Sequence, residues 1–258
     1  RWAQELSTKD NSEWGEHVSR FQFFRDRAFH FETVRALWYA PFNGADYGEV
    51  MTVVPKIRGG DVESWYFHWT RLAEAVALRA ATLSDPVSQG KAYLRASNYR
   101  RTAEFFLAPE DPRRADSYEF CQQTFYSGLI SLGVDFTRSR VPYEGAEMET
   151  IFLRSEANPS THVLVIHGGF DSTPEELYFT VGAAAVERGY HALIYAGPRQ
   201  GDMLRKYHRA FTHEWEKPAS VALDALTTHC SPGAIIGVGV SLGGHLVARA
   251  AALARSTR

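Results

Sequence analysis

The apolar positions of this chain change period part-way along it. From Asp61 to about Leu132 they recur every three or four residues, so that Val62, Trp65, Trp69, Leu72 and Val76 fall on one face of a helix. Gly59-Gly60 breaks what precedes, and Asp61 offers a short carboxylate to a free N–H of the first turn. A second helix is predicted from Asp85, with Pro86 at the first helical position, where no N–H is needed; it runs through Leu94 and Tyr99 towards Phe105 and Phe106. Asp111-Pro112 repeats that start signal for a third helix, through Phe120, Phe125 and Leu129 to Gly133. Trp14 to Tyr39 also reads as helical.

After Gly133 the helical period stops. Val141-Pro142-Tyr143-Glu144-Gly145 reads as a turn leading into a strand over residues 147–153. Val163 to Ile166, Ala192 to Tyr195 and Ile235 to Val240 are short, continuous apolar runs, the mark of strands covered on both faces. Between them, Thr173-Pro174-Glu175-Glu176 has the form of a capping box opening a helix that ends near Gly189, and a further helix is expected over residues 219–228. Strands alternating with helices predict right-handed crossovers and a mainly parallel sheet. The expected fold class is α/β, with an all-helical N-terminal cap domain over residues 1–136 and a sheet domain over residues 137–258.

Composition narrows the function classes. The chain has 258 residues, 45% hydrophobic and 22% charged, with a formal net charge of −2, enough apolar material for a sizeable core. Lys and Arg are scattered and slightly outnumbered, which excludes an electrostatic nucleic-acid partner. No stretch approaches eighteen apolar residues, so no membrane partner is expected, and charges interrupt the first thirty residues where a signal peptide would need an apolar run. Cys121 and Cys230 have no metal-ligand spacing and form no disulfide framework, which reads as reduced thiols in a cytoplasmic protein and no metal site. Trp2, Trp14, Phe21, Phe23 and Phe24 fit either burial in the cap or self-association as a homodimer.

The chemistry concentrates at Gly239-Val240-Ser241-Leu242-Gly243-Gly244, a G-x-S-x-G pattern. A nucleophilic serine at the tip of a sharp strand-to-helix turn needs neighbours without Cβ atoms two residues away on either side, here Gly239 and Gly243, so that strand and helix can approach. Chance produces the bare pattern in roughly one chain in ten of this length. Its context adds weight: an apolar strand ends at Val240, and a small-residue helix follows. His167-Gly168-Gly169-Phe170 ends an earlier strand, where the second oxyanion donor of such a site belongs; the candidate donors are the N–H groups of Leu242 and of Phe170 or Gly169. The bland reading makes both motifs ordinary turns of a parallel α/β fold. A Ser-Asp-His triad in this order needs an acid and a base after the serine, yet residues 242–258 hold no Asp or Glu and only His245. His245, four residues along the elbow helix, reads as a pocket or packing residue, and the triad's Asp and His are expected beyond residue 258.

Taken together, Gly60 to Trp65, Ala92 to Phe106, Val141 to Gly145, Gly168-Gly169-Phe170-Asp171-Ser172 and the elbow resemble the α/β-hydrolases with an N-terminal helical cap, the group of 2,6-dihydroxypseudooxynicotine hydrolase and the fungal yellowish-green-type hydrolases that shorten polyketides. The resemblance runs from about Asp46 to Ala252. It implies Ser241 as nucleophile, no metal or organic cofactor, and a small aromatic or polyketide-like substrate cleaved at a carbon–carbon bond next to a ketone, or at an ester. The cap would wall the pocket near Asp171; Trp65, Trp69, Tyr99 and Phe106 either line it or form the cap core, the simpler reading. Arg199, in Gly197-Pro198-Arg199-Gln200-Gly201, departs from the group's usual glycine. Two other readings stay open: a non-catalytic binding remnant of this scaffold, and an acyltransferase built on it.

Overall fold

The computed structural model describes residues 22–156 and 161–254. Its N-terminal part is helical, and four of its starts rest on aspartate caps. Asp26 Oδ1 takes the Phe29 N–H at 2.9 Å to open α1 (Arg27–Trp38), and α2 (Tyr47–Val53) follows behind Asp46. Asp61 caps α3 (Val62–Thr82) by accepting the Ser64 N–H at 2.9 Å, and Asp85 caps α4 (Pro86–Glu104) by accepting the Ser88 N–H at 2.8 Å. The expected start at Asp111 is corrected. The cap of α5 (Arg113–Ser131) is Pro112, and Asp111, one residue too early, takes the Arg113 N–H at 2.9 Å and clasps the Arg113 guanidinium. Residues 22–26 are not helical; the rest of the helix expected from Trp14, with Trp2 and Phe21, lies outside the described residues.

Trp65 and Trp69 are fully buried at the centre of the helical part, among Phe29, Val50, Leu72, Val76 and Tyr99. Burying a side chain of this kind stabilises the fold by about 2–3 kcal/mol, so the α3 stripe read from the sequence is the axis around which the helices pack. Phe24 belongs to the same cluster.

Five strands form one sheet: β1 (Phe136–Tyr143), β2 (Ala146–Leu153), β3 (His162–His167), β4 (His191–Tyr195) and β5 (Ala234–Gly239), in the order β1-β2-β4-β3-β5. β3, β4 and β5 run parallel, as the alternation predicts, while β2 is antiparallel to β4 and β1 to β2. β1 was not expected. Val141 to Tyr143, read as a turn, are its last residues, and the turn proper is Glu144-Gly145, both at positive φ (47° and 74°) as a two-residue hairpin requires. Pro142 is tolerated because β1 is an edge strand, where a missing N–H breaks no inner ladder.

Alternation along the strands divides the sheet's two faces. Ile151, Leu153, Ile166 and Ile194 pack with Leu94, Phe125 and Leu129 of the helical part and with α6 (Pro174–Leu177), a π-helical turn (Tyr178–Gly182) and α7 (Ala183–Glu187). Met148, Phe152, Val165 and Leu193 pack on the other face with α9 (Glu216–Leu226), α10 (Gly243–Leu253) and Trp215; the short α8 (Gly201–Arg205) follows β4. The cap therefore joins the face that α6 and α7 cover, and the elbow helix lies on the opposite one. No helix among the described residues is long and apolar enough to cross a membrane.

Candidate active site

β5 ends at Gly239, and the chain reverses into α10 within four residues. Gly243 N–H reaches Val240 O at 2.9 Å and Gly244 N–H reaches Ser241 O at 3.0 Å. Ser241 sits at this tip with φ +59°, in the left-handed region that costs a side-chain-bearing residue about 1–2 kcal/mol. Both flanking glycines are needed for the approach. A Cβ on Gly239 would fall inside van der Waals contact of the Gly243 backbone, and one on Gly243 would stand 2.8 Å from the carbonyl oxygens of His167 and Gly168. The turn is thus pressed against the end of β3, where Val240 N–H also donates to His167 O at 3.2 Å.

That end of β3 is the second predicted element. A Cβ on Gly169 would lie 2.9 Å from Ser241 Cβ and 3.1 Å from both Ser241 Oγ and Leu242 N, so the loop backbone touches the serine and the first N–H after it. The two candidate loop donors separate here: Gly169 N–H is already given to Ser172 Oγ at 3.0 Å, which leaves Phe170 as the loop's candidate. His167 points to the opposite face, 5.3 Å from the Tyr195 ring and 5.7 Å from the Trp215 ring, and burial pushes its imidazole down to about 4. It is therefore neutral and turned away from Ser241. His245 is exposed on α10 and does not line the cleft that holds Ser241, because that helix packs on the face away from the cap.

The cleft has a volume of about 520 Å³. Ser241 and Val240 form its floor, Phe31, Val34 and Trp38 of α1 together with Phe105 form the cap-side wall, and Arg35, Asp171 and Glu176 form a polar corner. The four aromatics weighed in the sequence are not its lining: Trp65, Trp69 and Tyr99 are buried in the cap core, and Phe106 packs against it. α1 carries two helical stripes, one at Phe29, Glu32, Thr33 and Ala36 that is buried, and one at Phe31, Val34, Arg35 and Trp38 that faces the cleft. Phe31 and Trp38 are 61% and 73% exposed, and an exposed aromatic row at that spacing is the signal that would have found this wall. A larger cleft of about 800 Å³ lies elsewhere, beside Tyr126, Arg138 and Arg205, and Ser241 takes no part in it.

The polar corner joins the two halves of the molecule. Glu176 accepts Arg35 Nε and Nη2, each at 3.0 Å, and Tyr39 OH at 2.6 Å, with Arg101 Nη2 also 3.0 Å away. Glu32 takes Arg101 Nη1 at 3.2 Å, and Asp171 takes Arg35 Nη1 at 2.7 Å. Burial raises the Glu32 carboxyl against the pull of both arginines; at Asp171 burial acts in the same sense, but Arg35 and Arg101 outweigh it and lower that carboxyl. Thr173 caps α6 by accepting the Glu176 N–H at 3.5 Å, as the capping box predicts, but the Glu176 side chain turns to the cap's arginines instead of back to Thr173. Glu32, Asp171, Glu176 and Arg35, which line the same cleft as Ser241, make this corner the candidate for orienting a polar substrate group. Among the described residues no cluster of His, Cys, Asp and Glu has the arrangement of a metal site.

A serine at positive φ between a parallel strand and a helix, facing a helical wall, can be set beside known proteins. No family model matches the sequence. Hydrolase acrC of Aspergillus aculeatus is 36% identical over 258 residues, covering 90% of this chain and 60% of its own. The 20-hydroxy-prefusarin hydrolase FUS2 of Gibberella moniliformis is 36% identical over 248 residues, covering 88% and 58%. Among solved structures, the 2,6-dihydroxy-pseudo-oxynicotine hydrolase superimposes with a TM-score of 0.69 at 24% identity, over 84% of this chain and 61% of that one. The chain has the α/β-hydrolase fold. It spans about three-fifths of the length of the curated relatives it matches.

Proposed function

We propose that this α/β-hydrolase chain carries the nucleophile and the oxyanion donors of a serine-dependent hydrolase, which cleaves a carbon–carbon bond next to a ketone, or an ester, in a small aromatic or polyketide-like molecule. The observation that carries this reading is Ser241 at φ +59° on the floor of a cleft with an aromatic wall. A serine held in the left-handed region is a strained feature, and such features persist where the surrounding structure holds them for a purpose. In the reaction, a general base takes the Ser241 Oγ proton as the oxygen bonds to the substrate carbonyl carbon. The Leu242 and Phe170 N–H groups take the negative charge that develops on the carbonyl oxygen. Collapse expels the leaving group, an alkoxide or an enolate, which takes up a proton, and water then releases the acyl group from Ser241.

The cleft supports the substrate class. Phe31, Val34, Trp38 and Phe105 suit a flat apolar body, and Arg35 suits an oxygen-bearing end such as an enolate, phenolate or carboxylate. The relatives' names agree with this, one being a hydrolase of 20-hydroxy-prefusarin and one of 2,6-dihydroxy-pseudo-oxynicotine. The test is a fluorophosphonate probe followed by peptide mapping. Labelling at Ser241 that Ser241→Ala abolishes is the expected result, and an unlabelled Ser241 in the intact protein would remove the nucleophile and leave a binding protein.

A further inference from the structure

Gln200 follows β4 in sequence and lies two residues past the end of Gly197-Pro198, yet its side chain ends at the loop that follows β3. It is 2% exposed. Its Oε1 accepts Gly197 N–H at 3.0 Å, while its Nε2 donates to Gly168 O at 2.9 Å and to Gly169 O at 2.6 Å. These partners also fix which end of the amide is which, because an N–H needs the oxygen and two carbonyls need the nitrogen. One buried amide thus spends both of its donors on two consecutive peptide units.

The consequence follows from the planarity of the peptide. In a trans unit the C=O and the N–H point in opposite directions, and the described residues contain no cis bond. The Gly168 carbonyl and Gly169 N–H form one unit, held by Gln200 on one side and Ser172 Oγ on the other. The Gly169 carbonyl and Phe170 N–H form the next, and Gln200 holds only its carbonyl end. Gly169, on one side of this unit, lets it rotate at little cost, so this hydrogen bond is what fixes the direction of the Phe170 N–H. The same loop makes a second tie: Arg199, at φ +70°, stacks its guanidinium 4.4 Å from the centre of the Phe170 ring.

We infer that Gln200 is a positioning residue for the hydrolytic reaction, aiming the Phe170 N–H at the oxyanion through its hold on the Gly169 carbonyl. The inference rests on the reading of Ser241 as nucleophile, but its geometric half can be tested apart from it. In the intact protein, Gln200→Glu keeps the size and the acceptor for Gly197 and loses both donors, and Gln200→Met keeps the volume without hydrogen bonds. Three quantities are read: the maximal rate and half-saturating concentration of fluorophosphonate labelling, the amide resonance of Phe170, and the thermal unfolding transition. Both variants are expected to move the Phe170 resonance and to slow maximal labelling about 10-fold or more, part of the roughly 100- to 1,000-fold lost with a whole oxyanion donor, while half-saturation stays within about twofold. Labelling at the wild-type rate with a lowered unfolding temperature would overturn the proposal and make Gln200 a structural tie only. If the wild-type serine is not labelled, the nucleophile reading fails, and the Phe170 resonance still decides whether Gln200 orients that peptide. Should the carboxylate of Gln200→Glu prevent folding, Gln200→Met and Gln200→Asn carry the same three readouts.

Discussion

Glu175 should make this protein less stable as the pH rises through neutrality. Its carboxyl is 1% exposed, under the cap. Its Oε2 accepts Tyr118 OH, at 3.3 Å. The nearby cation is taken by the neighbouring acid, since Glu149 receives Arg138 Nε at 2.6 Å, Tyr126 OH at 2.6 Å and Gln122 Nε2 at 2.9 Å. Burial first, and then the Glu149 charge, lift the Glu175 carboxyl from 4.5 to about 8. The folded state thus holds a proton that the unfolded chain releases. A raised carboxyl of this kind leaves full stability below its unfolded pKa and removes it as the pH rises through the folded value.

The slope is about 1.4 kcal/mol per pH unit between those values, so the loss accumulated by pH 7 is about 3 kcal/mol, and it levels off above about pH 8. Glu175→Gln keeps the volume and the contact to Tyr118 while ending the titration. Urea unfolding of both proteins from about pH 5 to about pH 9 gives the difference in stability at each point. Titrating groups that do not interact with Glu175 cancel in that difference. The expected result is an advantage of the variant that grows steadily up to about pH 8 and then stays level. A difference that is flat across the range, or that favours the wild type increasingly at high pH, would refute the reasoning.

Arg101 is 3% exposed between Glu32 and Glu176, so Arg101→Met leaves two buried carboxylates to Arg35 alone and is expected to cost about 3–5 kcal/mol in urea unfolding; a loss under about 1 kcal/mol would make the corner no more than a surface pair. At the elbow, Ser241→Gly should be more stable than Ser241→Ala by about 1 kcal/mol, because alanine keeps the left-handed penalty and glycine does not; equal unfolding temperatures would mean the turn relaxes. Gly169→Ala places a methyl 2.9 Å from Ser241 Cβ and is expected to slow fluorophosphonate labelling at least about 10-fold, with labelling at the wild-type rate counting against the contact. Trp38→Ala, at a residue 73% exposed, should leave the unfolding temperature unchanged and raise KM about 10-fold for an aromatic substrate; an unchanged KM would remove Trp38 from the binding wall.

What the sequence made legible is local. Asp61, Asp85 and Thr173 accept N–H groups three residues ahead, and the elbow turns within Gly239 to Gly243, so their geometry is written in adjacent residues. β1 was missed because Pro142 and Glu144-Gly145 are turn residues by type, and only the edge position of the strand makes the proline acceptable. The cleft wall was not found, for a different reason. Trp65 and Trp69 have the helical spacing that any core stripe has, and which of two stripes on α1 meets the sheet depends on partners far along the chain. Arg35 reaches Glu176 across 141 positions, and no periodicity encodes that pairing.

The same distinction explains how the candidate site is built. Its candidate nucleophile, Ser241, is held at positive φ by a turn whose close approaches are made by the elbow's glycines. Its accessory parts are fixed by long-range ties that cross between elements: Gln200 to the carbonyls of Gly168 and Gly169, 32 and 31 positions away, and Arg35 and Arg101 to Glu176. A tie to backbone carbonyls constrains direction, because it leaves the peptide one orientation. The arginine ties constrain distance, because they draw α1 and α4 onto the start of α6 beside the serine. Damage to the two should therefore look different: loosening Gln200 should lower the rate of the chemical step with binding intact, whereas loosening the arginine corner should weaken binding and stability together, since Arg35 and Glu176 both line the cleft and join the cap to the sheet.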